Sequence, residues 1–110
     1  MKIVSGVKTI AVEYPNGKKE VLSFDANNAD NLQAWTEKAK TMQDIDFAKV
    51  EDINAVVAIL SDIFITVFGK IAYKRFWIKT NKNITALADI VSETSKLLKE
   101  AMENFKKIGK

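Results

Sequence analysis

Ile53-Asn54-Ala55-Val56-Val57-Ala58-Ile59-Leu60-Ser61-Asp62-Ile63-Phe64-Ile65-Thr66-Val67-Phe68 is the stretch around which this chain must fold. Wound as a helix, it puts Ile53, Val56, Val57, Leu60, Phe64, Val67 and Phe68 on one face. Ile59 and Ile65 lie away from that face, so apolar surface wraps most of the circumference. Such a helix needs neighbours on more than one side. Its length of about 24 Å falls short of a hydrocarbon core of about 30 Å. Asn54, Ser61 and Asp62 also interrupt it, so a buried core helix is the better reading than a membrane span. Residues 51–68 are the expected helix, with Glu51 and Asp52 suiting its positive N-terminal end. Ile63 to Phe68 is rich in β-branched residues and leaves strand open as the alternative for that segment. Gly69 is placed to close the helix in the left-handed conformation.

Working outward toward the N-terminus, residues 1–27 read as a hairpin region. Ile10, Val12 and Tyr14 alternate with Ala11 and Glu13, Pro15-Asn16-Gly17-Lys18 is a turn signal, and Val21, Leu22 and Phe24 return. A lone hairpin is marginal in water, so it must lie on helices or gain a third strand, for which Ile3 to Val7 is available. A helix over 30–44 follows, with Asp30 in the cap role, Gln33 three residues on, and Leu32, Trp35, Ala39 and Met42 as its stripe.

Toward the C-terminus, residues 70–82 form a basic, aromatic-rich segment without an acid, predicted as a short helix over Ile71 to Ile78 and a loop. Asn83 caps a last helix over 84–107, with Ile84, Leu87, Val91, Leu98, Met102 and Phe105 as its stripe. Lys96–Glu100, Lys99–Glu103 and Glu103–Lys107 fall opposite at the supporting four-residue spacing. The expected fold is a single α+β domain, mostly helical: an N-terminal β-hairpin, three main helices and a short basic helix.

The 110 residues allow one domain with a real core. Cysteine and histidine are both absent. That excludes disulfides, thiolate metal sites, a cysteine nucleophile and every histidine-based general base or ligand set. Residues 1–55 carry seven Lys against nine carboxylates, net −2; residues 56–110 carry ten basic residues against five, net +5. Only one of the seventeen basic residues is Arg, the residue that clamps phosphates and reads bases bidentately.

Asp44, Asp46, Glu51 and Asp52 form an acidic cluster without the glycine and closing glutamate of a calcium loop, so they read as a solvated loop and helix start. Asp25 to Asp30 fails as a calcium loop for the same reason. Asn83-Ile84-Thr85 matches a glycosylation sequon but reads as a helix start. No glycine-rich phosphate loop occurs. No catalytic, cofactor-binding or metal-binding residue is expected. The N-terminus lacks the apolar run of a signal peptide, which points to the cytoplasm.

The contested feature is the basic aromatic segment. Tyr73, Phe76 and Trp77 share one helical face, as core or as a surface for a protein partner. Lys70, Lys74, Arg75, Lys79 and Lys82 are the phosphate contacts if the protein instead binds nucleic acid.

The order of elements resembles the small tail assembly chaperones encoded by siphophages and prophages of Gram-positive bacteria. The resemblance is one of layout: a β-rich opening over Lys8 to Phe24, an apolar helix ending in Phe68-Gly69, a loop with Asn81 and Asn83, and an amphipathic helix from Ile84 to Phe105. It implies a non-enzymatic protein of the host bacterial cytoplasm that self-associates, binds the tape measure protein and keeps its long apolar helix soluble during tail assembly. Amphipathicity, rather than the resemblance, nominates Tyr73, Phe76, Trp77, Leu98, Met102 and Phe105 as contacts. The alternative is a small nucleic-acid-binding or regulatory protein using residues 70–82.

Overall fold

A computed structural model of the protein describes residues 1, 6–43, 49 and 51–108. It is α+β and mostly helical: one antiparallel hairpin lying on four helices. Strand β1 (Val7–Glu13) pairs with β2 (Lys19–Asp25), from Val7 opposite Asp25 to Glu13 opposite Lys19. The turn closes with the Tyr14 N–H donating to the Lys18 carbonyl at 2.8 Å and the Gly17 N–H to the Tyr14 carbonyl at 2.9 Å. Pro15 presets the first turn dihedral, and Gly17 sits at φ +84°, where a side chain would be strained. Val7 opens β1; Ile3, proposed for a third strand, lies outside the described residues.

Period-two alternation decides which face is buried. Ile10, Tyr14, Leu22 and Phe24 turn onto the helices and are buried, while Thr9, Ala11, Glu13, Val21 and Ser23 face outward.

Helix α1 (Ala29–Gln43) starts earlier than expected. Asn28, not Asp30, is its cap: the Asn28 Oδ1 accepts from the Asp30 N–H at 2.9 Å, and its carbonyl from the Leu32 N–H at 3.1 Å. Asp30 instead occupies the first turn, where its charge meets the positive helix end. Leu32 and Trp35 face the core. The side chains of Ala39 and Met42, and the linker with Asp44 and Asp46, lie outside the described residues.

Helix α2 (Ile53–Phe68) runs unbroken through Ile63–Phe68, so that segment is helix rather than strand. Asp52 caps it, accepting from the Asn54 N–H at 2.9 Å. The β-branched residues each cost only tenths of a kcal/mol as helix, and burying Leu60, Ile63 and Phe64 outweighs that. Ile53, on the predicted buried stripe, is 66% exposed because it sits in the first turn, beyond the hairpin's cover. Gly69 has the positive φ expected of it, but with ψ 162° it is extended rather than left-handed helical. It ends α2 and starts α3 (Lys70–Lys79), so the two helices share a one-residue joint.

Asn83 caps α4 (Ile84–Ile108) through its side chain, accepting from the Ala86 N–H at 3.0 Å. The buried line of α4 is Leu87, Val91, Thr94, Leu98 and Ala101. Thr94 belongs to the core because its hydroxyl is satisfied locally, donating to the Ile90 carbonyl at 2.7 Å. Helix α4 is about 37 Å long, and the molecule is flat, 46 × 35 × 19 Å.

The core has two parts. Under the turn end of the hairpin, Tyr14 and Leu22 meet Leu60, Ile63, Phe64, Phe76, Leu87 and Val91. Under the other end, Ile10, Phe24 and Ala26 meet Leu98 and Ala101, with Leu32, Trp35 and Val67 beside them. Phe68 joins the two, edge-on to Phe24 at 5.5 Å and 4.9 Å from Phe64. No helix among the described residues is long and apolar enough to cross a membrane.

Candidate functional site

Helix α3 is amphipathic in a way that assigns its two sides. Tyr73, Phe76 and Trp77 turn inward. Phe76 is 1% exposed and lies 5.1 Å from Phe64; Tyr73 lies edge-on to Phe64 at 5.6 Å and stacks on Trp77 at 6.0 Å. This aromatic face is therefore core packing, with Tyr73 and Trp77 half-buried at its margin.

The six nominated contact positions are not brought together as one surface. Phe76 and Leu98 are fully buried, so neither is presented to a partner in this fold. Tyr73, Trp77 and Met102 are half-buried. Phe105 is 64% exposed, on the same helical line as Leu98 and Ala101 but past the part the body covers.

The opposite side of α3 carries what the sequence reading missed. Ile71 is 80% exposed and Ile78 is 73% exposed, seven residues apart and hence on one face. Lys70 and Lys74 flank them, both exposed. From Ile63 to Ala88 the chain contains no acid at all. The signal was available: a helix of ten residues cannot bury both its aromatic line and a line of isoleucines opposite.

Two of the five basic residues are already engaged by the hairpin. The Arg75 Nε donates to the Glu20 Oε2 at 2.5 Å, and the Tyr14 hydroxyl donates to the Glu20 Oε1 at 2.5 Å. The Lys79 ammonium lies 5.3 Å from the centre of the Tyr14 ring, within the range of a cation–π attraction. Glu20 is on the core-facing side of β2, in step with Leu22 and Phe24, and a carboxylate there requires partners. Burial pushes its pKa up, but the Tyr14 hydrogen bond and the charges of Arg75 and Lys79 outweigh that and hold it below the usual carboxylate value. Burial, and then the hydrogen bond to Glu20, raise the Tyr14 phenol far above its ordinary range. Lys70, Lys74 and Lys82 extend into solvent from the same segment.

Among the described residues no group of three or more carboxylates gathers to hold a metal ion. Asp52 of the acidic cluster is spent on the α2 cap. Asn83 of the sequon is spent on the α4 cap. Comparison of the chain with protein-family models, with curated proteins and with solved structures gives no match.

Proposed function

We propose that this protein is a non-enzymatic, phage or prophage tail assembly chaperone-like factor that binds a long helical partner, the tape measure protein, and covers its apolar surface during assembly. The observation that carries the reading is the outer face of α3, where Ile71 and Ile78 stand in solvent among lysines on a segment without acids. Isolated exposed apolar side chains are ordinary; two on one helical line, flanked by like charge, suit a complementary helix. Phe105, beyond the covered part of α4, adds a second apolar point. Self-association and a bacterial cytoplasmic setting belong to the same proposal.

The test is co-expression with the long helical protein encoded beside its gene. The partner should become soluble and co-purify. The double variant Ile71→Asp/Ile78→Asp should lose the complex while its circular dichroism stays unchanged, because neither side chain is in the core. A partner whose solubility is indifferent to the protein would end this reading. Sequence-selective nucleic-acid binding that survives about 0.2 M salt would favour the regulatory alternative, because non-specific phosphate contacts weaken steeply with salt. Lys70, Lys74 and Lys82 are the positions to change in that assay.

A further inference from the structure

Among the described residues β1 pairs with β2 alone, and the register shows which groups from Thr9 to Glu13 turn away from that partner. Tyr14 bonds to Lys18, and the Ala26 N–H donates to the Gly6 carbonyl at 2.9 Å, so the even-numbered residues of β1 are those bonded to β2. The N–H and C=O groups of Thr9, Ala11 and Glu13 therefore point away from β2. A groove of about 610 Å³ lies at the turn end of this edge, between residues 11–13 with the hairpin turn and the α3–α4 corner at Phe76, Thr80 and Asn83. Successive residues from Ala11 to Pro15 line it, inward-facing and outward-facing alike, which places it at the strand edge and not on one face of the sheet. Its far wall is α4, at Ala86, Asp89 and Ile90.

We propose that this groove is a strand-accepting slot, in which an extended peptide segment of a partner, bearing Lys or Arg, pairs with β1. Main-chain groups of Ala11 and Glu13, which line the groove, supply the ladder, and Thr9 continues it beyond the groove, as edge pairing does in general. Inward side chains of the added strand fall between Val12 and Ile90. Charge selects the occupant. Among the described residues that line the groove, Glu13 and Asp89 are the carboxylates, both exposed, and none is a lysine or arginine; Lys19, opposite Glu13 on β2, and Lys79, over the Tyr14 ring, stand beside it. A second copy pairing β1 with β1 brings the same carboxylates to both sides of one interface, which disfavours it. This surface is separate from the outer face of α3.

The test uses the full chain, isotope-labelled for amide NMR, and the capped peptide Lys-Val-Thr-Val-Lys-Val. The amides of Thr9, Ala11 and Glu13 should shift in a saturable way, with those of Ala86 and Asp89. The same peptide with Glu in place of Lys should bind at least tenfold more weakly. Ala11→Pro removes an edge N–H that β2 does not use and should abolish binding with the melting temperature nearly unchanged. Glu13→Lys/Asp89→Lys, at exposed positions, should reverse the preference between the peptides, and it keeps the test decisive if the proline variant does not fold. No shift along β1, or binding that survives both variants, overturns the proposal. Concentration-dependent shifts of the same amides without peptide would assign the edge to a second copy, and would overturn it as well.

Discussion

Arg75 and Glu20 meet at 2.5 Å across the gap between α3 and β2, and Glu20 in turn accepts the Tyr14 hydroxyl. One carboxylate of β2 thus joins the first turn residue after β1 to the basic helix. The side chains are partly exposed, so this is an orienting contact more than a large source of stability. It joins the burial of Phe76 against Phe64 in holding α3 to the hairpin, with Ile71 and Ile78 on the outside.

The first prediction concerns acid. The Glu20 pKa is lower folded than unfolded, so the unfolded chain takes up that proton first. Its contribution is present above the unfolded value of 4.5 and is lost as pH falls through the lower folded value. Glu20→Gln should flatten stability against pH in that acid window and leave the slope near neutrality unchanged. Denaturant melts of both proteins from pH 3 to 7 measure this; parallel curves would show that the carboxylate is not held below its usual range.

A second prediction falls on the joint between α2 and α3. Gly69 has φ +93° and ψ 162°, a region essentially closed to residues with a Cβ, although open space surrounds the position. Gly69→Ala should cost about 1–3 kcal/mol through backbone strain alone. Chemical denaturation reads this, and an unchanged midpoint would mean that the joint relaxes freely.

Burial separates residues of the same type in the third prediction. Phe76→Ala removes a ring that is 1% exposed, among Phe64, Tyr14 and Leu87, and should cost about 3–5 kcal/mol. Phe105→Ala, at a 64% exposed position, should change stability by no more than about 0.5 kcal/mol. Equal losses in thermal melts would place Phe105 in the core and remove it from the surface offered to a partner.

The sequence by itself determined the hairpin, its turn and the helices apart from the end of α2. Pro15-Asn16-Gly17 fixes a turn through local dihedral preferences, and Asn83 caps α4 through a bond three residues away. Such signals act over a few residues and need no knowledge of the rest of the fold. The Asn28 cap was misplaced by two residues because Asp30 satisfies the same local pattern. Helix against strand for Ile63–Phe68 had no local answer, since β-branched residues serve either when buried.

Tertiary structure decided the rest: which apolar line of each helix is covered. Tyr73, Phe76 and Trp77 and the opposing Ile71 and Ile78 are both apolar by composition, and only the position of Phe64 and the Glu20–Arg75 contact select the aromatic side. Phe105 continues the Leu98 line, yet it is exposed because the body of the domain ends before it. The acidic groove beside β1 is farther still from sequence, since Glu13 and Asp89 are separated by most of the chain. Periodicity tells which residues share a face, but what lies against that face is a long-range fact that no local pattern contains.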